Sequence, residues 1–309
     1  MGERFLNKTN SVKLFTHTDL DGVSCAILAG LYFENICDVD MCDYNNINDK
    51  LKNFLSSPVK WRYNLILITD ISCNEEVAEM IDKHNNPNML NIKLIDHHKT
   101  AEWLNKYSWA NVVIEKDNHL CSGTSLLAEF LGFTETLGSL PMYINLVRQY
   151  DTWEWKANNE NRANDLNNLF HILGRERFIN DMMDNLIKDY YIFSKEHQLL
   201  IEIDKEKKDL YFQKKEKELD GYIIDGMLFG IVFANEYVSE LGNYLGEKYP
   251  NFMGIILIGE YGISYRTIHD NIDMSMIAKK FGGGGHQKAS GSGISIEKRK
   301  QYLDLLFNI

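Results

Sequence analysis

Phe15-Thr16-His17-Thr18-Asp19-Leu20-Asp21-Gly22 ends a strand-like run, Val12–Thr16, and opens a helical pattern beginning near Val23. A β-rich run, a short acidic turn closed by glycine and then a helix mark one strand–helix unit. If the chain stays extended through the turn, alternation places His17, Asp19 and Asp21 on one side. Two carboxylates and an imidazole at that spacing perturb one another unless a cation sits between them. The plainer reading is a polar turn in which Asp19 or Asp21 caps the next helix. The HxDxDG pattern alone does not separate the two.

Outward from this stretch the same arrangement recurs. Leu65–Thr69 is an apolar run ending at Asp70, and Ile92–Ile95 is another, ending in Asp96-His97-His98-Lys99. A further short run covers Val112–Ile114. Amphipathic stretches lie between them. Asn74 is a suitable N-cap ahead of Glu75, Glu76, Val77, Met80 and Ile81, and Leu126, Leu127, Phe130 and Leu131 follow the turn at Ser122-Gly123. Alternating strands and helices predict an α/β fold, a mostly parallel sheet with helices on both faces. In such folds ligands collect beyond the carboxyl ends of the strands. Three strands here each deliver acids or imidazoles at that end. A fourth acid, Asp151, lies in Gln149-Tyr150-Asp151-Thr152-Trp153, read as a helix end. Carboxylates mixed with imidazole suit Mn²⁺ or Mg²⁺, and no thiolate is placed to favour zinc.

The remaining chain reads as a linker and a second domain. Lys188–Leu219 is rich in Glu and Lys and reads as one long charged helix, although a surface helix within one domain has the same composition. Beyond Gly221, Leu228–Ala234, Met253–Ile258 and Ile263–Ile268 read as strands of a smaller α/β domain, with a final helix over Ile296–Phe307. The expected organisation is 1–187 for the domain that carries the acid and imidazole cluster, 188–220 for the linker and 221–309 for the smaller second domain. Internal repeats and low-complexity tracts are absent from the sequence.

Composition narrows the function classes. The 309 residues, 44% hydrophobic, are enough for two ordinary globular domains. Thirty-three basic residues against 44 acidic ones leave a net charge of −11. Proteins that track long nucleic acid usually carry a basic groove, so a long polymer is not the expected substrate. The five cysteines form no CxxC pair and read as reduced thiols. With no signal-like or membrane-spanning run, a cytoplasmic location without membrane partners is expected. The oligomeric state, monomer or homodimer, is left open.

HTDLDG, the strand-ending Asp70, DHHK and Asp151 resemble the ordered motifs of the DHH phosphoesterase superfamily. Phe281-Gly282-Gly283-Gly284-Gly285-His286-Gln287-Lys288-Ala289-Ser290-Gly291 resembles the GGGGH motif of the DHH-associated second domain. Leu94–Trp109, LIDHHKTAEWLNKYSW, is particularly similar to the nanoRNase B-type oligoribonucleases. The resemblance implies two divalent cations, Mn²⁺ or alternatively Mg²⁺. His17, Asp19 and Asp70 would hold the first, and Asp21, Asp70, His97 and Asp151 the second, with Asp70 bridging. Two such ions roughly 3.5–4 Å apart activate water for in-line attack on phosphorus, so no protein nucleophile is required. Asp96 would orient its neighbours, and His98 would face the substrate as a catalytic group. Spacing alone leaves His97 and His98 interchangeable; the family pattern separates them.

Gly283, Gly284, Gly285 and His286 are read as phosphate contacts, because glycines let backbone N–H groups approach an anion. Arg266 is a candidate second phosphate clamp through its bidentate fork; a surface arginine is the plain alternative. His269, Asn235 and Lys288 are further candidates. Trp153 and Trp155 are read as packing beside the metals in preference to base stacking, and Met182-Met183 as core. His84, His119, His171 and His197 have no role assigned. Together these readings predict a cleft enzyme that hydrolyses short oligoribonucleotides to nucleoside monophosphates. The rivals within the superfamily are cyclic mononucleotides, cyclic or linear dinucleotides and adenosine bisphosphate. A nucleotide-binding protein without activity is the rival of another class.

Overall fold

Five strands build the sheet of the first half: β1 (Val12–His17), β2 (Cys37–Cys42), β3 (Leu65–Thr69), β4 (Asn91–Asp96) and β5 (Ala110–Val112), of which β2 matches no run expected from sequence and β5 overlaps the expected Val112–Ile114 only at Val112. The computed structural model describes residues 11–33, 37–86, 88–133, 138–188 and 192–307. All the strand pairings are parallel, in the order β2-β1-β3-β4-β5. The order reverses between β1 and β3, which makes their carboxyl ends the topological switch point where a crevice opens. The inner strands read as buried apolar runs: all five residues of β3 are buried. On the edge, β2 alternates acid and apolar residues, and Lys13 of β1 fixes its register by reaching Asp38 at 3.2 Å and Asp40 at 3.0 Å.

Helices cover both faces. Val23, Ile27, Leu28 and Ala29 of α1 (Leu20–Phe33) are fully buried, each large side chain contributing about 1.5–3 kcal/mol. Next come α2 (Ile47–Ser56) and α3 (Glu75–His84), where Asn74 caps α3 by accepting from the Val77 N–H at 3.0 Å. A hairpin of β6 (Glu115–Lys116) and β7 (His119–Leu120) precedes α4 (Gly123–Leu131), whose capping box pairs Ser122 with Ser125. A helical layer follows: α5 (Leu140–Asp151), α6 (Glu154–Asn158), α7 (Asn161–Leu173) and α8 (Arg175–Lys188). Its core with α1 contains Tyr143, Leu166, Phe178 and Met182, as expected of the Met182-Met183 pair.

The charged segment is not one helix from Lys188. That residue ends α8, and α9 runs Lys195–Lys217. The chain divides into two compact units inside α9, one through Ile201 and one from Glu202. The second unit holds a six-stranded sheet: β8 (Asp220–Ile224), β9 (Met227–Phe233), β10 (Ile255–Ile258), β11 (Gly262–Arg266), β12 (Gly284–Gly285) and β13 (Ala289–Gly293). Their order is β12-β13-β11-β10-β9-β8, with β9 and β10 parallel and the other pairs antiparallel. Three helices accompany it: α10 (Val238–Lys248), α11 (Met274–Lys280) and α12 (Ile296–Phe307). No helix among the described residues is long and apolar enough to cross a membrane.

Candidate metal centre

β1 and β3 are tied at their carboxyl ends: Thr69 donates its hydroxyl to Thr16 at 2.9 Å, and Thr16 donates to the Gly22 carbonyl at 2.8 Å. His17 is the last residue of β1. Asp19 sits just ahead of α1 and accepts the Gly22 N–H at 3.0 Å through Oδ1, so the capping reading of this acid is realised. Its other oxygen, Oδ2, lies 2.8 Å from His17 Nδ1. Asp21 is not on an extended segment, as strand alternation would have it. It lies in the first turn of α1, buried, and accepts the Gly123 and Thr124 N–H groups at 2.6 and 2.9 Å. Turning into the helix, rather than alternation, brings it beside the others.

Asp70 follows β3 with φ of 56°, a left-handed conformation in which asparagine and aspartate are the usual non-glycine residues. That backbone twist points its buried carboxylate at the switch point. His97 Nε2 lies 3.2 Å from Asp70 Oδ1, 3.3 Å from Asp151 Oδ2 and 3.8 Å from Asp21 Oδ2. His17 Nδ1 is 3.8 Å from Asp70 Oδ2. Asp151 ends α5, at the helix end expected for it. The structure thus gathers His17, Asp19, Asp21, Asp70, His97 and Asp151 at one place in the first unit. Asp96 and His98 lie alongside: Asp96 is buried, accepts both following backbone N–H groups at 2.8 and 3.3 Å, and lies 2.7 Å from His98 Nδ1.

Crowding these carboxylates shifts their proton affinities. Burial, then the charges of Asp21 and Asp19, pushes Asp70 well above the usual carboxylate range. The same causes push Asp151 up to about 8. Burial pushes His97 down, whereas the hydrogen bond to Asp96 raises His98. Oδ2 of Asp70 and Oδ2 of Asp151 are buried with no hydrogen-bond partner, a position that cation coordination would satisfy. Three groups have ligand atoms all within 4.8 Å of one another: the triads His17, Asp19 and Asp70, and Asp21, His97 and Asp151, and the four residues Asp70, Asp96, His97 and His98. The hard oxygens and imidazoles fit a divalent cation. Among the described residues, no metal-competent group includes a cysteine. Cys25, Cys42, Cys73 and Cys121 are free and buried. Burial pushes every one of these thiols up, Cys42 to about 11 and Cys73 to about 12. High thiol pKa values of this kind belong to inert, structural cysteines.

Other expectations are redrawn. Trp153 is not packed away but 60% exposed, in a left-handed conformation with φ of 61°. Trp155 is partly buried against the helical core, as expected. Tyr44, between β2 and α2, joins the site without belonging to any of its sequence motifs. Its ring lies 5.1 Å from that of His17 and its hydroxyl 3.4 Å from His98 Nε2. Only its adjacency to a strand end could have pointed to it.

The substrate-binding candidates lie in the second unit. Arg266 ends β11, half-buried, and donates to the Tyr265 and Ser290 carbonyls and to the Ser239 hydroxyl at 3.0, 3.3 and 2.9 Å. Much of its fork is therefore occupied within the unit. Gly283 is required by packing, since a Cβ there would meet the Gly291 carbonyl at 2.0 Å. Gly285 has φ of 136°, a glycine-favouring conformation. Gly284 has neither constraint, with nothing within 4 Å of its Cβ position. The exposed His286 closes a turn with Ala289, each N–H donating to the other's carbonyl at 2.9 and 3.2 Å. His269 Nε2 lies 3.0 Å from the Phe252 carbonyl, Lys288 lies 2.5 Å from Asp270, and Asn235 accepts the Glu260 N–H at 2.7 Å.

No protein-family model matches the chain. Two solved structures match nearly all of it with a TM-score of 0.54. A pGpG-specific phosphodiesterase, PggH from Vibrio cholerae, is 15% identical and covers 96% of this chain and 98% of its own. Exonuclease RecJ bound to manganese is 13% identical and covers 97% of this chain and 90% of its own. The fold is therefore that of DHH-type phosphoesterases. In sequence, oligoribonuclease NrnB of Bacillus subtilis (strain 168) is 38% identical over 304 residues, 96% of this chain and 76% of that protein. The chain belongs to the DHH phosphoesterase family, alongside NrnB.

Proposed function

We propose that this protein hydrolyses short oligoribonucleotides to nucleoside monophosphates at two divalent cations, Mn²⁺ in preference to Mg²⁺. One observation carries the reading: two ligand triads at the switch point, with Asp70 in the first and in contact with His97 of the second. His17, Asp19 and Asp70 are the proposed ligands of one cation, and Asp21, Asp70, His97 and Asp151 those of the other. The similarity to a protein named an oligoribonuclease supports the choice of substrate. Bound cations supply positive charge at the phosphoryl group and acidify a water for in-line attack.

The chain's own residues do the rest. Asp96 fixes His98 through Nδ1 at 2.7 Å, which directs Nε2 outward toward Tyr44. With its proton affinity raised by that bond, His98 can hold a proton at Nε2 and donate it to a phosphoryl or leaving oxygen. Asp21, besides binding metal, holds the start of α4 against the site. Arg266, Gly283, Gly284, Gly285 and His286 are the proposed substrate contacts of the second unit. The testing panel is turnover with Mn²⁺ on a 5′-phosphorylated dinucleotide, a five-nucleotide RNA, cyclic di-AMP, cyclic AMP, adenosine bisphosphate and pyrophosphate. Fast conversion of both RNA oligomers to mononucleotides is expected; preference for a cyclic nucleotide or the bisphosphate would overturn the substrate assignment.

The glycine run separates fold from contact. Gly284→Ala should leave the melting temperature within about 1 °C, because the added methyl meets nothing, and should raise KM if backbone N–H groups there meet phosphate. Gly283→Ala should destabilise by about 1–3 kcal/mol through overpacking against β13. His286→Ala should raise KM several-fold without loss of bound metal. Metal analysis showing an emptied site in His286→Ala would refute a substrate-facing role.

A further inference from the structure

We propose that the second unit carries a nucleoside-phosphate site of its own, at the carboxyl ends of β9 and β10. A cavity of about 990 Å³ opens there, within the range of small-molecule sites. Its position follows the rule for parallel strands, whose carboxyl ends leave a crevice for ligands. β9 and β10 are the parallel pair of this sheet, and the chain leaving them, Phe233-Ala234-Asn235 and Ile258-Gly259-Glu260, forms one wall. α9 and α12 supply the others.

The lining combines flat apolar surface with cations. Tyr211, Phe233 and Tyr302 offer aromatic faces, and the last two are 55% and 50% exposed. Lys214, Lys298 and Arg299 add positive charge, whereas the fourth cation, Lys215, is held by Glu218 at 2.6 Å. Glu236 and Glu260 are the carboxylates of the lining, suited to accept from ribose hydroxyls or base amino groups. Arg299 lies with its guanidinium 5.1 Å from the Tyr261 ring centre, and its Nε–H is buried without a hydrogen-bond partner. Cations beside exposed aromatic faces suit an anion attached to a planar ring. A nucleoside phosphate supplies both, its base stacking on the aromatic faces.

The cavity reaches Phe281, the first residue of the glycine-rich segment, but not the turn at His286–Ala289. On β13 the cavity touches Gly293, which pairs with Gly262, whereas Arg266 pairs with Ala289 beside His286. Four residues of strand, roughly 13 Å, separate Gly293 from the Arg266 end, whereas Gly284 pairs with Gly291, two residues from Gly293. The site also stands independently of the oligoribonuclease reading, because binding is measured without turnover.

The ligand can be a free mononucleotide or the end of an oligonucleotide, and titration tells these apart. The full-length protein in EDTA is titrated with a fluorescent N-methylanthraniloyl AMP, then competed with AMP, 5′-phosphorylated ApA, adenosine and inorganic phosphate. AMP and the dinucleotide should compete, and adenosine and phosphate at least tenfold more weakly. Equal competition by AMP and dinucleotide marks a mononucleotide site, whereas a strong preference for the dinucleotide marks an oligonucleotide end. Arg299→Glu and, separately, Tyr302→Ala should each raise the dissociation constant at least tenfold, with unchanged circular dichroism and melting temperature. Asp70→Asn, at the metal centre, should bind as the wild type does. Unchanged binding in both cavity variants, loss of binding in Asp70→Asn, or equal competition by phosphate alone would overturn the site.

Discussion

Replacing Asp70 with Asn should lower kcat/KM by at least about 10³-fold and, in the same protein, raise the melting temperature of the metal-free form. The activity loss follows from removing the carboxylate proposed to serve both cations, several kcal/mol of barrier at about 1.4 kcal/mol per tenfold. The stability gain follows from burial. Asp70 is 1% exposed, and burial together with Asp21 and Asp19 raises its pKa well above 3.8. The folded state therefore holds this proton more tightly than the unfolded chain does. Stability fully present below pH 3.8 is lost as pH rises toward the folded pKa. Asparagine does not titrate and escapes that loss, so the gain should be absent near pH 4 and grow toward pH 8. Asn also tolerates φ of 56°, whereas Ala would add left-handed strain. Saturating Mn²⁺ should reverse the ranking, since a ligand at 100 times its dissociation constant adds about 2.7 kcal/mol to a protein that binds it. Melting curves at pH 5 and pH 8, with EDTA or Mn²⁺, decide the matter beside turnover. Near-normal activity would sink the bridging assignment, and no gain in EDTA would sink the uncompensated carboxylate.

In the first unit β1, β3 and β4 were legible in sequence because they are apolar runs with chemistry at one end, whereas the edge strand β2, Cys-Asp-Val-Asp-Met-Cys, alternates acids with apolar residues and was not. A buried parallel strand needs no alternation, so Leu65–Thr69 announces itself, and the acid after it marks the carboxyl end of the sheet. The cluster was legible for the same reason: each member sits at an element's end, where side chains leave the layer. What sequence did not give was the route by which Asp21 arrives. Extended alternation and a helical first turn bring the same residues together, and only the backbone distinguishes them. Tyr44 was invisible because proximity across a crevice has no spacing signature. The second unit was harder to read. β13, Ala-Ser-Gly-Ser-Gly, has no large apolar residue, and its strand character comes from antiparallel pairing with β11. Such tertiary override also explains part of the glycine run, where packing against β13 accounts for Gly283 and gives no reason for Gly284.

Gly22→Ala should destabilise the protein by about 1–3 kcal/mol and cut Mn²⁺-dependent turnover about 10²-fold. Helix propensity argues the other way, because Ala in place of Gly inside a helix is favourable by about 1 kcal/mol. Sterics wins at this position. A Cβ on Gly22 would lie 2.3 Å from the His17 carbonyl oxygen and 2.7 Å from His17 Cα, and backbone atoms have nowhere to retreat. The start of α1 must then move off the end of β1, taking Asp19 and Asp21 away from His17. Overpacking of this kind accounts for the stability loss, and a displacement near 1 Å in a positioned site accounts for the rate. Gly30→Ala in the same helix is the control. Its Cβ would meet only the flexible end of Met183, at 3.0 Å, so propensity should win and the variant should be neutral or more stable. Urea denaturation of both variants, with turnover alongside, reads the two effects apart. If Gly22→Ala proves as stable as Gly30→Ala, the close contact that joins strand end to helix start does not hold the centre together.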